Sequence, residues 1–578
     1  MHKTEIAAKF TEIAGLLEIL GENPFKIRAH LNAARVLETT NEDIASLASE
    51  GNLTSIKGIG KGIAEKITTI LQTGDLPELK TLHEKVPSGV LDMLKIPGLG
   101  PKRVKAVWAN LGVTTLGELE YACNENRLAT LEGFGTKTQE KVLKGIATFH
   151  QFAGRWLLSE AIKHAETALA WVQKHDDVKR AMIGGSIRRG KETVRDVDII
   201  ASSAKPLEVM EHFASAPFVS KVLAQSLAKT SIRFENGLQA DLRVVADSEF
   251  PFTLCRFTGS HEHNNAIRVF AESRGMQINE HALLKDKKPL PCKDETAIFK
   301  ALGLSYIPPE LREGLSEIET ARSGNVFDLI EYSDLEGLFH CHTKYSDGRE
   351  TVETMVMACK ELGFKYLGIS DHSRSASYAG GLSIDDLKKQ GDEIDKLNDK
   401  LDGFRIFKGV ESDILGDGAL DYPNEVLEQF DFVIASVHSG LGMDEKKITA
   451  RIIRAIENPY TTMLGHPTGR LLLSREPCAV SMHKVIDACA KNSVIIEINA
   501  NPHRLDIDWR LLQYAKSAGV MLSINPDAHR IAGLEHAKYG VMIARKGGLA
   551  KADVLNTMSL ADVTRELAVR KKTGADQP

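Results

Sequence analysis

The chain has 578 residues, 43% hydrophobic and 26% charged, with a formal net charge of -5. That length calls for several folded domains, and the mild negative charge excludes a global basic field, so any polyanion site must be a local patch. The seven cysteines form no C-x-x-C pair, no apolar run is long enough to span a membrane, and the amino terminus lacks a signal-peptide core, which together point to a cytoplasmic protein with reduced thiols.

Residues 1–50 read as amphipathic helices. A glycine repeat follows: Gly58-Ile59-Gly60-Lys61, then Gly98-Leu99-Gly100 with Lys102 and Arg103, and a weaker copy at Gly133-Phe134-Gly135. Each copy opens a helix. Two glycines around an apolar residue allow a tight turn, and the next backbone N–H groups can bind a phosphate oxygen. One such turn can simply join two helices; three copies favour binding of a nucleic-acid backbone independent of sequence. Residues 151–180 read as helical, and 181–300 as short β-runs alternating with helices. Residues 303–335, with Pro308-Pro309, contain few periodic segments and read as linker. Residues 336–570 alternate apolar runs with helical patterns, and the tail 571–578 reads as disordered.

Within the β-rich region, Gly184-Gly185-Ser186-Ile187-Arg188-Arg189-Gly190 leads to Asp196-Val197-Asp198-Ile199-Ile200. On a strand, residues i and i+2 share a face, so Asp196 and Asp198 project together. A hard, all-oxygen site suits Mg²⁺, which commonly also holds substrate phosphates. A lone D-x-D is also what exposed aspartates look like. Here Gly185 and Ser186 can offer N–H and hydroxyl groups to a triphosphate, Arg189 adds charge, and Asp241 lies on another apolar strand.

Over residues 1–315 the sequence resembles the family X DNA polymerases, through G-S-x-R-R-G…D-x-D and through Phe257-Thr258-Gly259-Ser260 followed by Asn264 and Arg268. The resemblance implies that Asp196, Asp198 and Asp241 bind two Mg²⁺ ions and that Asp241 helps activate the primer 3′-hydroxyl. It implies that Gly185, Ser186 and Arg189 hold the nucleotide phosphates. Phe257 and Gly259 would pack at its sugar, Asn264 would reach the base edge and Arg268 the template strand. The family usually carries tyrosine where Arg256 stands, which leaves ribose discrimination open. The turns with Gly58, Gly60, Lys61, Gly98, Gly100 and Lys102 resemble helix-hairpin-helix motifs, which implies that they grip DNA phosphates. Lys66 falls where the family's small lyase domain has its Schiff-base lysine, and Lys26 matches a phosphate-binding lysine; a surface lysine on a DNA-binding helix explains Lys66 equally well.

In the second half, seven apolar runs each end in polar or metal-ligating residues: His340-Cys341-His342, Asp371-His372, Glu411-Ser412-Asp413, His438, His466-Pro467, Glu497-Ile498-Asn499 and Asp527-Ala528-His529. Parallel β/α barrels place their chemistry at the carboxyl ends of their strands, so a seven-stranded barrel with a metal site at its mouth is expected. Imidazole and carboxylate without clustered thiolate suits Zn²⁺, Mn²⁺ or Fe²⁺, and such a cluster lowers the pKa of water and clamps a phosphate. Cys341 alternates with the histidines and should face the core. Arg470 can contact substrate phosphate or lie at the surface.

This half is similar to the polymerase-and-histidinol-phosphatase (PHP) domain. That resemblance implies His340, His342, Asp347, His372, Glu411, His438, His466, Asp527 and His529 as ligands for up to three Mn²⁺ or Zn²⁺ ions, with Glu411 as the bridge.

The expected fold is multidomain α+β and α/β: a helical lyase-like domain (1–85), a helical fingers-like region (86–150), a mixed-sheet palm (151–245), a nucleotide-selection subdomain (246–315), a linker (316–335), a distorted (β/α)₇ barrel (336–570) and a tail (571–578). The expected function is gap-filling DNA repair synthesis by a cytoplasmic monomer acting on gapped or primer-template DNA and deoxynucleoside triphosphates. The barrel would be a 3′–5′ exonuclease with possible abasic-site cleavage. The alternatives are a barrel acting as a small-molecule phosphatase, or a DNA-binding scaffold with a structural barrel.

Overall fold

The amino-terminal helices form because apolar residues recur every three to four positions. Helix Lys3–Leu20 buries Ile6, Phe10, Ile13 and Leu17. Asn23 caps helix Pro24–Thr39 by accepting a hydrogen bond from the Phe25 backbone, with Pro24 at the first helical position. In this computed structural model, residues 3–40, 44–94, 96, 98–150, 154–324 and 326–575 are described. They fall into two compact units, Met1–Phe149 and His150–Pro578.

In the first unit each glycine repeat is a turn into a helix. Gly60 precedes Lys61–Thr73, Gly100 precedes Pro101–Leu111, and Gly135 precedes Thr136–His150. The first glycine of each pair has positive φ: 103° at Gly58, 95° at Gly98 and 79° at Gly133. An L side chain resists that conformation, which is why glycine stands there. A single apolar cluster runs from Ile6 to Ile146, so the expected division at 85/86 falls inside one core.

The second unit begins with a five-stranded sheet in the order Val178–Ile183, Asp196–Ser203, Gln239–Val245, Thr230–Phe234, Val219–Gln225. The central pair, Asp196–Ser203 with Gln239–Val245, is parallel; its other pairings are antiparallel. Helices Leu158–Gln173 and Pro206–Ala214 bury Ala161, Ala165, Val172, Met210 and Phe213 in the core beneath it. Helices Phe250–Thr258, His261–Ser273 and Glu295–Ala301 follow, around Ile267, Ile298 and Phe299.

The segment expected as linker is ordered. Glu317–Arg322 is helical, Ile318 and Ala321 join the preceding core, and Ile330 joins the barrel core. Its apolar residues are too few for a sequence period, yet Ile318, Ala321, Ile330 and Leu335 each have a buried seat, while Val326 is exposed.

The barrel has seven parallel strands in chain order: Gly337–Cys341, Tyr366–Ile369, Arg405–Asp413, Phe432–Ser436, Met463–Leu464, Ile495–Asn499 and Leu522–Asn525. Strands buried on both faces read as continuous apolar runs, which is how they stood out in the sequence. The last strand returns to the first through a parallel bridge between Cys341 and Ala528. Phe339, Tyr366, Phe407 and Phe432 fill the interior with Val563 and Leu567 of the final helix. That helix, Leu560–Ala575, corrects the expectation of a disordered tail up to residue 575; residues 576–578 lie outside the described residues. No described helix is long and apolar enough to cross a membrane.

Candidate functional site

The carboxylate site is built by strand register. Asp198 pairs with Asp241 across the parallel central strands, and Asp196 lies two residues earlier on the same face. The Gly184 N–H donates to Asp198 O at 2.8 Å and starts the turn. Gly185 has φ 61°, and a Cβ there would sit 2.2 Å from Asp198 Oδ2, so backbone and carboxylate are in direct contact. Lys229 Nζ donates to Asp241 Oδ2 at 2.8 Å and Gln239 to Oδ1 at 3.0 Å. Burial, then Asp196 and Asp241, push Asp198 up to about 7. Burial and Asp241 also raise Asp196. Burial opposes ionisation of Asp241, but hydrogen bonds from Lys229, Ser231 and Gln239 outweigh it and hold its carboxyl below the usual range. Crowded carboxylates that resist joint ionisation fit a site for divalent cations.

The turn Phe257–Gly259 abuts this site, for Phe257 O is 3.6 Å from where a Gly184 Cβ would be. Phe257 carries the Arg243 guanidinium 4.0 Å above its ring. Arg189, expected at the triphosphate, is half-buried and already engaged: its Nε donates to Glu313 at 3.1 Å and its Nη1 to Thr258 O. Ser186 sits in the first turn after Gly185. Asn264 and Arg268 line a separate cavity of about 220 Å³ with Arg256, Ile278 and Glu280. Asn264 Nδ2 donates to Arg256 O at 2.8 Å, and Arg268 pairs with Glu272 at 3.2 Å on the surface.

At the barrel mouth the nine expected ligands converge. His342, Asp347, His372 and His529 form one group, His340, His466 and Asp527 a second, and His372, Glu411 and His438 a third; His340, His342 and Glu411 join them. Glu411 Oε1 lies 2.9 Å from His466 Nε2 and 3.2 Å from both His340 Nε2 and His438 Nε2. Its Oε2 lies 2.8 Å from His372 Nδ1 and 3.8 Å from His342 Nε2. One carboxylate therefore touches five imidazoles. Among the described residues, both ring nitrogens of His342 are buried with no hydrogen-bond partner. Unpaired lone pairs converging on one point fit metal coordination. Burial lowers His342, and burial together with Arg504 drives His466 down to about 4, whereas the carboxylates around Glu411 outweigh burial and raise His340, His372 and His438. His340 and Asp527 hold left-handed backbone, φ 57° and 51°, a conformation that non-glycine residues retain where a site demands it.

Behind the ligands stand residues that the sequence reading did not assign. Glu497 Oε1 accepts from His340 Nδ1 at 2.5 Å, and its Oε2 accepts from the His466 backbone at 2.7 Å and from Asn499 at 3.0 Å. Asp413 accepts from His438 Nδ1 at 2.6 Å. Asp371 accepts from Thr343, Ser346 and Gln390 and fixes the loop leading to Asp347. All three end apolar runs in the sequence, the one signal that marked them. Cys341 is buried. Arg470 belongs to neither expectation: it is buried, donates to Arg504 O at 2.9 Å and pairs with Asp508 at 3.2 Å, because the loop after His466 folds back onto 504–508.

In the first unit, Gly58, Gly60, Gly98, Gly100, Lys61 and Lys102 are all exposed at their turns. Arg103 is committed to Gly98 O at 2.9 Å and Gly133 O at 3.2 Å, tying two turns together. Lys66 Nζ donates to His30 Nε2 at 2.8 Å and pairs with Glu78; the other His30 nitrogen donates to Lys26 O at 2.8 Å. Lys26 itself is exposed, 3.8 Å from Glu22.

Four family models match this chain: a helix-hairpin-helix domain over 1–76, a SAM-like helix-hairpin-helix tandem over 90–148, the DNA polymerase beta thumb over 253–313 and the PHP domain over 339–501. The DNA polymerase/3′-5′ exonuclease PolX of Bacillus subtilis (strain 168) is 37% identical over 569 residues, 97% of this chain and 99% of that protein. DNA polymerase lambda of Rattus norvegicus is 25% identical over 345 residues, 54% of this chain and 55% of its own length. A probable phosphatase of Caldicellulosiruptor saccharolyticus is 30% identical over 213 residues, 34% of this chain and 80% of that protein. With both carboxylate strands, the thumb and the histidine-lined barrel in one polypeptide that matches a PolX from end to end, the chain belongs to the family X DNA polymerases that carry a carboxy-terminal PHP domain.

Proposed function

We propose that this protein extends DNA 3′ ends at the Asp196, Asp198 and Asp241 site, filling short gaps as a cytoplasmic monomer, and trims 3′ ends at the barrel mouth. The observation that carries the polymerase reading is Asp198 in register with Asp241, against the Gly185 backbone. Two Mg²⁺ ions bound by the three aspartates would supply Lewis-acid stabilisation of the attacking and leaving oxygens. Asp241, held ionised by Lys229 and Gln239, is the carboxylate to receive the proton of the primer 3′-hydroxyl. Gly185 and Ser186 present N–H and hydroxyl groups to the triphosphate, and Phe257 and Gly259 form the wall beside the sugar. Asn264 and Arg268 reach the nascent pair from their own cavity. The glycine turns with Lys61 and Lys102 hold the DNA backbone.

In the barrel, His340, His342, Asp347, His372, Glu411, His438, His466, Asp527 and His529 would hold up to three Mn²⁺ or Zn²⁺ ions, which supply an activated water and a phosphate clamp. Glu497 and Asp413 orient His340 and His438 and fix their tautomers. The test is a labelled primer-template with Mn²⁺ and no nucleotides, comparing the native protein, Asp198→Ala and His342→Ala. Shortening from the 3′ end in the first two but not in His342→Ala supports the reading; no shortening in any of them overturns the nuclease. A phosphatase barrel is the second reading, favoured by the likeness to the probable phosphatase, and it requires single-stranded DNA to leave phosphomonoester hydrolysis uninhibited.

Lys66 is proposed as a Schiff-base nucleophile whose proton His30 Nε2 is placed to accept. Borohydride trapping on 5′-deoxyribose-phosphate DNA gives an adduct that Lys66→Ala loses; equal adduct from both rules that lysine out.

A further inference from the structure

The four residues that follow the Gly184–Arg188 turn are each touched by the barrel. Arg189 O accepts a hydrogen bond from Lys546 Nζ at 2.9 Å. Gly190, at φ 65°, lies against Met542, whose Cβ and Cε are 3.7 Å from where a Gly190 Cβ would be. Lys191 Nζ lies 5.6 Å from the centre of the Trp509 ring. Glu192 lies 3.6 Å from Arg470. Lys546 and Met542 belong to helix Ala537–Lys546, Trp509 to the short 3-10 helix Trp509–Leu511, and Arg470 to a loop beyond a barrel strand.

Glu313 fastens this contact. Its Oε1 accepts from Lys546 at 2.5 Å and from Arg189 Nε at 3.1 Å, and its Oε2 lies 3.1 Å from Lys191. One carboxylate thus holds two cations of the palm loop and one of the barrel. Lys546 is 2% exposed. A buried ammonium is tolerated only with partners on its protons, and Arg189 O, Glu310 O and Glu313 supply them. Trp509 lies beneath both lysines, 4.7 Å from Lys546 Nζ. The loop so anchored leads directly out of the turn that bears Gly185 and Ser186, and Arg189 Nη1 reaches Thr258 O in the facing wall.

We propose that Lys546 is a positioning residue of the polymerase reaction: through Arg189 O and Glu313, the barrel helix holds the triphosphate-binding turn in its nucleotide-ready geometry. The inference rests on the reading of Gly185-Ser186 as the triphosphate cradle. Lys546 touches no reacting atom. It sets how much ordering the turn must undergo when a nucleotide arrives, so its loss appears in nucleotide affinity rather than in the chemical step.

The test is steady-state extension by full-length Lys546→Met, with exonuclease rate and thermal midpoint measured on the same preparations. The expected result is a rise of about tenfold in KM for the nucleotide, the size of one lost hydrogen bond to a charged group, with kcat nearly unchanged. The barrel's exonuclease rate stays at its native level. Glu313→Gln raises KM as well, and the double variant is no worse than the worse single one, since both act through one contact. An unchanged KM in Lys546→Met overturns the proposal, as does an equal fall of kcat and exonuclease rate with the thermal midpoint, which would mark a merely structural lysine. If Lys546→Met does not fold, Met542→Ala, which loosens the Gly190 contact and keeps every charge, must raise KM, and an unchanged value there overturns the proposal too. Ser186→Ala reports on the cradle itself: an unchanged KM in that variant removes the cradle reading and the positioning role with it. A raised KM there beside an unchanged one in Lys546→Met removes the positioning role alone.

Discussion

Gly185 shows how tightly the carboxylate site is drawn. A methyl group there would overlap Asp198 Oδ2, and the residue's φ of 61° already disfavours any side chain. Gly185→Ala is therefore expected to reduce extension by at least about 100-fold through displacement of Asp198, while the primer-shortening activity of the barrel persists. Asp198 also carries a pH signature. Because burial and its carboxylate neighbours push it up to about 7, protons compete with cations there. Mg²⁺ affinity in the extension assay should weaken as pH falls through about 7, and a flat profile would contradict this. Asp196 and Asp198 were legible because strand alternation alone puts them on one face. Glu313 was not: its cations, Arg189 and Lys191 on one loop and Lys546 on a barrel helix, all lie far from it in sequence, and no local pattern marks it. Glu497 stood in between, visible as a strand end but not as the support of His340. Glu497→Gln should weaken metal binding at the barrel by about tenfold or more, measured by competition with a chelator.

At the scale of elements, the turn Gly185–Arg188 is tied to the thumb by a buried charge network. Arg188 Nη2 meets Glu295 at 2.6 Å and Arg312 Nη1 meets it at 2.5 Å, while the Arg312 carbonyl accepts from Ser260 N. Burial alone would raise Glu295, yet Arg312 and Arg188 outweigh it and bring its carboxyl to about 2. A carboxyl lowered on folding adds stability that is complete above its unfolded pKa of about 4.3 and is lost as pH falls toward 2. Acid unfolding should show this loss, and Glu295→Gln should abolish that part of it. The same variant is expected to be destabilised by about 3–5 kcal/mol at neutral pH in denaturant titration, since it strands Arg312 in the interior. The barrel strands were legible as elements because each is a continuous apolar run bounded by polar ligands. The segment 316–335 was not, because its few buried side chains, Ile318, Ala321 and Ile330, pack into cores built by distant sequence.

Across the whole molecule, net charge says little about DNA; the glycine turns with Lys61 and Lys102 are exposed and are the backbone-binding surface we propose instead. Lys102→Ala should weaken binding uniformly across DNA sequences and reduce the slope of log affinity against log salt by about one. The barrel's seam has a consequence of another kind. Its first and last strands meet through the bridge of Cys341 with Ala528, and ligands stand on both partners of that joint: His340 and His342 flank Cys341, and Asp527 and His529 flank Ala528. Cations bound there would act as a clasp across the two ends of a ring some two hundred residues around, where closing a long loop is entropically unfavourable. Treatment with a strong chelator should then do more than silence the nuclease. It should open the ring at one known place, with amide exchange rising first along Gly337–Cys341 and Leu522–Asn525 while the facing strands stay protected.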